Sequence, residues 1–287
     1  MMSPLPPEAP PLAPPVEPEH AIDEAGGTVA AHAALSTVDT TVFDGVRDRA
    51  AAILLRYPQP RSALLPLLHL VQHVEGHVSR AGIAFCAEIL EITTAEVSAV
   101  ATFYTMYKRE PVGRHLVSVC TNTLCAALGG DDIYAAVRER LGGPGQPLGH
   151  EQTSADGTAT IEHAECLAAC DLAPVLTVDY EFFDKQTVDS ALEIVDALRR
   201  GEKPHPTRGA PLTDFRSVEL LLAGFFDDPA VGGLEAVAGP SAAEESLRGA
   251  RLAEERGWTA PSVPDRETER SGEHADRGAR PVDEGAP

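Results

Sequence analysis

The chain has 287 residues, and its 44 Asp and Glu against 23 Lys and Arg leave a formal charge of −21. So acidic a chain presents no broad basic surface to a polyanion, which excludes nucleic acid as a partner and leaves proteins as the expected ones. Hydrophobic residues are 43% of the total and aromatics 5%, enough for one or two ordinary cores once the ends are set aside.

Eight of the first eighteen residues are proline, so residues 1–38 are expected to be an extended, disordered tail. No basic, apolar and small-residue leader opens the chain, and a cytosolic location is expected. Residues 39–110 then read as helical. Val42, Val46, Ala50, Ile53 and Leu54 make one apolar stripe, and Leu64, Leu67, Leu68, Val71 and Val74 a second. Pro58 and Pro60 separate the two, Gly76 closes the second, and Ser79 caps a third helix through Ile83 to Glu91. Thr93 with Glu96 forms a capping box at the start of a fourth. The product is a bundle of four short antiparallel helices.

After Pro111 the period changes, and residues 111–203 read as a small sheet with helices against it. Leu116, Val117 and Val119 form a strand ending at Cys120. Ile133, Tyr134, Val137 and Leu141 stripe a helix whose first turn carries Asp131 and Asp132 to complement the dipole. Gly143 to Asp156 reads as a turn-rich connection. Ala159–His163 and Val175–Tyr180 read as strands, the latter turning back near Phe182 and Phe183. Thr187 caps a last helix that Gly201 ends.

Residues 204–238 hold a Pro-rich arm from Pro204 to Pro211 and an apolar helix capped by Thr213. That extension either docks on a partner or packs on its own domain. Its most apolar run, Leu220 to Phe226, is far shorter than the roughly 20 residues needed to cross a bilayer. Residues 239–287 mix charge, Gly, Ser and Pro, and a second disordered tail is expected.

Four cysteines remain to be explained. Cys120 and Cys125 have four residues between them, at the end of a strand and in the loop after it. Cys166 and Cys170 have three between them, in the loop joining two strands, and a sheet folding on itself brings both loops to one edge. Soft thiolates there select zinc or an iron–sulfur cluster, and the spacing alone does not choose. Cys86, on a helix with Ile83 and Ile89, reads as a core thiol. His69, His73 and His77 read as packed or solvated, and Phe103, Tyr104 and Tyr107 as core.

Cys120-Thr-Asn-Thr-Leu-Cys125, followed by Glu165-Cys166-Leu-Ala-Ala-Cys170-Asp-Leu-Ala-Pro174-Val, resembles the cluster motif of the E subunit family of bacterial NADH-quinone oxidoreductase, respiratory complex I. Ser62-Ala-Leu-Leu-Pro-Leu-Leu-His69, Val97-Ser-Ala-Val-Ala-Thr-Phe103-Tyr104 and Phe182-Phe-Asp-Lys-Gln-Thr187 extend the likeness on both sides. The family often has proline before the second ligand and glycine inside the second pair, where this chain has Leu124 and Ala168.

The resemblance implies an α/β fold, a thioredoxin-like [2Fe-2S] domain behind the helical bundle. It implies one [2Fe-2S] cluster on Cys120, Cys125, Cys166 and Cys170, with one pair on each iron. Hydride carries two electrons and such a cluster takes one, so FMN and NADH are expected on a partner. This chain has neither a G-x-G-x-x-G after a strand nor a P-loop.

The implied partners are the FMN-binding, NADH-oxidising F subunit and the iron–sulfur G subunit. The complex would lie on the cytoplasmic side of the membrane with no insertion by this chain, and no NADH, FMN or quinone site of its own. Two other readings stand at this point: the equivalent diaphorase subunit of an NAD-linked hydrogenase or formate dehydrogenase, and a zinc-stabilised interaction module.

Overall fold

Local caps at Gly76, Ser79 and Thr93 mark helix ends close to where the sequence places them. The computed structural model describes residues 38–142, 151–231 and 244–259. After a 3-10 turn at Thr41–Val46 come α1 (Arg47–Leu54), α2 (Leu64–Glu75), α3 (Arg80–Leu90) and α4 (Thr94–Phe103). Gly76 ends α2 in the left-handed region at φ 79°, the Ser79 hydroxyl accepts from the Gly82 amide at 3.0 Å, and Thr93 and Glu96 form the reciprocal capping box. Val42 of the first stripe stays exposed, and its neighbour Phe43, outside that stripe, turns inward instead, stacking on Phe85 with ring centroids 4.8 Å apart. Cys86 is fully buried beside it, and burial pushes its thiol far up.

These four helices do not close their core alone. The extension after residue 203 comes back to them as α8 (Phe215–Leu222), capped by the Asp214 carboxylate on the Ser217 amide at 2.9 Å rather than by Thr213. Phe215 is fully buried, and Leu220, Ala223 and Val231 sink into the same core as Leu67, Val71 and Phe85. Of the two readings of this extension, the structure shows packing on the chain itself. His69 meets the buried Glu219 at 2.6 Å, Gln72 donates to the same carboxylate at 2.8 Å, and His73 meets the Arg216 carbonyl at 2.9 Å. The histidines are thus taken up by packing contacts, His77 against the Glu75 carbonyl at 3.3 Å.

The second half is a five-stranded sheet of β1 (His115–Cys120), β2 (Glu151–Thr153), β3 (Ala159–Ala164), β4 (Leu176–Val178) and β5 (Glu181–Phe183), in the order β2-β3-β1-β4-β5. β1 and β3 are parallel and every other neighbouring pair is antiparallel. Between β1 and β3 the chain makes α5 (Thr123–Ala127) and α6 (Gly130–Gly142), and α7 (Val188–Arg199) follows β5. One face of the sheet, with Val117, Val119, Ile161, Leu176 and Val178, is buried under Val137 of α6 and Val195 and Leu198 of α7. On the other face, the register sets Glu162, Ser118 and Thr177 side by side across β3, β1 and β4. β2 was not expected; part of the turn-rich stretch before it, residues 143–150, lies outside the described residues.

After α7 the arm comes back alongside β5 at the sheet edge. The Thr207 amide donates to the Phe182 carbonyl at 2.9 Å, and Arg208 clasps Asp184 at 3.0 and 3.1 Å. Gly209, at φ 100°, lies so close to the Glu181 carboxylate that a β-carbon would stand 1.7 Å from it.

The tail expected at residues 1–38 lies outside the described residues apart from Val38. Within the stretch 239–287 the chain is not loose throughout: α9 spans Glu244–Glu255. Glu244 and Glu245 suit its N-terminal turn, Arg251 pairs back onto Glu244 at 2.7 Å, and Glu245 meets Lys185 at 2.8 Å. No helix among the described residues is long and apolar enough to cross a membrane.

Candidate metal centre

The last residue of β1, α5, and the loop that leads from β3 into the 3-10 turn Cys170–Leu172 bring the cysteines to one end of the sheet. Cys120 is the last residue of β1, pinned by its own amide to the Val175 carbonyl at 3.1 Å, while the Thr121 amide reaches the Ala164 carbonyl at 3.1 Å. Cys125 lies one turn into α5, and Gly130 behind it comes so close that a β-carbon would sit 2.6 Å from the Cys120 carbonyl oxygen. Cys120 and Cys125 are buried, in a small apolar cluster with Ala169, Leu172 and Val175. Cys166 and Cys170 are exposed, their sulfurs 3.5 Å apart.

The two loops are tied to each other. Asn122, close to Cys120 in the chain, donates from its side chain to the carboxylate of Glu165, the neighbour of Cys166, at 2.9 Å. The turn at Asp171 accepts from the Ser246 hydroxyl of α9 at 2.9 Å, so the far end of the chain reaches the second cysteine loop.

The thiols influence one another. Burial first, opposed by the Val175 backbone amide and reinforced by Cys120 and Cys170, pushes the Cys125 thiol up to about 11. The hydrogen bond with Cys166, then its charge, raises Cys170. A bound metal reverses this, since it takes thiolates and releases their protons. Among the described residues no three His, Cys, Asp or Glu side chains converge as tightly as a single ion requires. The four thiols gather as two adjacent pairs, Cys125 with Cys120 and Cys166 with Cys170, a set of donors that suits soft metal chemistry.

Ala168, inside the second pair, has φ 57°, a left-handed conformation that costs an L-residue roughly 1–2 kcal/mol. Ala168→Gly is therefore expected to stabilise the protein by about 0.5–1 kcal/mol after the entropy of glycine is counted. A urea midpoint that rises with an unchanged visible spectrum is the expected reading; a lower midpoint would contradict it.

Sequence reasoning missed the tie between Asn122 and Glu165 and the reach of α9. It also placed Phe103 and Tyr104 in the core, whereas both are exposed and only Tyr107 is buried, its hydroxyl donating to the Leu65 carbonyl at 3.0 Å.

A mixed sheet flanked by helices on one face, with paired thiols at the end of its central strand, defines a thioredoxin-like iron–sulfur carrier as the class. The family model of thioredoxin-like [2Fe-2S] ferredoxins matches residues 50–199. The E subunit of NADH-quinone oxidoreductase from Mycobacterium tuberculosis strain H37Rv is 51% identical over 215 residues, 75% of this chain and 81% of that protein. Its counterpart in Rickettsia bellii is 36% identical over 153 residues, 52% of this chain and 89% of that protein. A solved NAD+-reducing [NiFe]-hydrogenase in the air-oxidized state overlaps only loosely, with a TM-score of 0.38 and 15% identity over 47% of this chain and 23% of that one. The chain belongs to the thioredoxin-like [2Fe-2S] ferredoxins, in the family of the E subunit of NADH-quinone oxidoreductase.

Proposed function

We propose that Cys120, Cys125, Cys166 and Cys170 hold one [2Fe-2S] cluster, one pair on each iron, and that the chain exchanges single electrons with FMN on the NADH-oxidising F subunit, beside the iron–sulfur G subunit. The observation that carries this is two thiol pairs on loops joined by Asn122 and Glu165, in a chain half identical to E subunits of NADH-quinone oxidoreductase. When bound, the cluster supplies a one-electron stop next to a flavin that handles hydride.

The chain's own residues then set the terms. β1 holds Cys120 rigid, and the apolar cluster around Cys120 and Cys125 keeps water from one side. The carboxylates of Glu165 and Asp171 beside the second pair disfavour added negative charge, and the Val175 amide opposes them. We place the domain limits at 39–110 for the helical bundle, 111–203 for the ferredoxin domain and 204–238 for the extension. The chain has no NADH, FMN or quinone site of its own and works at the cytoplasmic side of the membrane, through its complex.

Iron and acid-labile sulfide in equal amounts, with a spin-half signal after reduction, are expected of material purified without oxygen. Zinc without sulfide would overturn the reading.

A further inference from the structure

The reading above leaves open where the partner seats. We infer that the flavin-bearing subunit docks on the aromatic end of α4 and the cavity beside Cys166, through a basic surface that carries one apolar side chain into that cavity. This rests on the proposed function.

Phe103 is 77% exposed, and Tyr104 and Met106 are each 39% exposed. They are not loose: Phe103 meets Tyr104 edge-on at 5.0 Å, and Tyr104 meets the buried Tyr107 at 6.2 Å. Rigid aromatic and methionine side chains held out to solvent are the residue types that interface centres favour.

Met106 borders a cavity of about 410 Å³ whose other walls include Leu167 and Cys166 and whose floor is the polar row of Glu162, Ser118 and Thr177. The apolar rim is thus continuous with a sulfur of the candidate centre.

Charge chooses the occupant. Lys108, which lines the cavity, is buried and pairs with Glu162, which also accepts from Ser118 at 2.7 Å. Glu165 stands exposed on the same wall, next to Cys166. On a chain of charge −21, that mouth repels a second copy and attracts a basic face.

The test uses the full chain co-expressed with the flavin-bearing subunit. Phe103→Ser with Met106→Asp is compared with Leu55→Asp, which adds the same charge at an exposed apolar site just past the end of α1. The double variant is expected to weaken association by at least about tenfold, as loss of a central anchor does, with visible bands and thermal midpoint kept. The Leu55 variant should bind like the parent, and parental affinity should fall as salt rises.

Affinity within twofold of the parent, in a double variant that keeps its bands and midpoint, would overturn the inference. So would a homodimer, seen by sedimentation, that the double substitution dissolves. Colourless protein whose association is still broken by the double variant would sink the cluster reading while upholding this surface.

Discussion

Cys166→Ala is expected to abolish the visible absorption of the protein while leaving its fold intact. Cys166 is exposed and packs against no core, so its removal opens no cavity and costs little stability. A cluster iron left with one protein thiolate has only water or a neighbouring carboxylate to complete its shell, and such ligands bind soft iron–sulfur units poorly. Cys120→Ala should give the same loss of colour together with a measurable loss of stability. Cys120 is buried with Leu172 and Val175, and its absence leaves a gap at the end of β1. Absorption spectra and urea midpoints of the two variants separate ligand loss from unfolding. A Cys166 variant with the full parental spectrum would remove that residue from the ligand set.

Cutting the chain after residue 203 is expected to unfold the helical half. The cut strips Phe215, Leu220, Ala223 and Val231 from the protein, three of them from the core of α1 to α4, and takes away the Glu219 carboxylate that His69 and Gln72 share. Burial of each large apolar side chain contributes about 1.5–3 kcal/mol, so losing several approaches the whole stability of an ordinary domain. His69, left without the Glu219 carboxylate, adds to the loss. A milder change, Leu220→Ala, should cost about 2–5 kcal/mol, since the side chain is wholly buried in the helical core. Limited proteolysis of the truncated chain should cleave within residues 47–103 first. Protection there equal to that of the full chain would show that the four helices stand alone.

What the sequence disclosed follows from how local each signal is. Thr93 and Glu96 announce the start of α4 because the cap is made within three residues, and Ser79 and Thr187 do the same for α3 and α7. The cysteine spacing disclosed two thiol-bearing loops because each pair lies within one short segment.

The packing of α8 was left undecided, because its partners are 147 and 150 positions away in the chain and an apolar helix reads alike whether it covers its own core or another protein. β2 escaped notice as three residues with no apolar run, recruited by pairing with β3. Phe103 looked like core because an aromatic near Tyr107 usually is. Only the geometry shows Tyr107 turning in while Phe103 turns out. α9 was missed for a similar reason: its fixing points, Lys185 and Asp171, belong to a distant part of the chain.

The return of α8 onto α2 also has a consequence for biogenesis. A nascent chain is made from its N-terminus, and units fold as they emerge. The four sulfurs therefore leave the ribosome before the piece that seals the first-made helices. Until translation reaches Val231, the newborn chain can already offer its thiols to iron donors while its helical half still shows apolar surface to chaperones. Metallation can thus begin before the fold is complete.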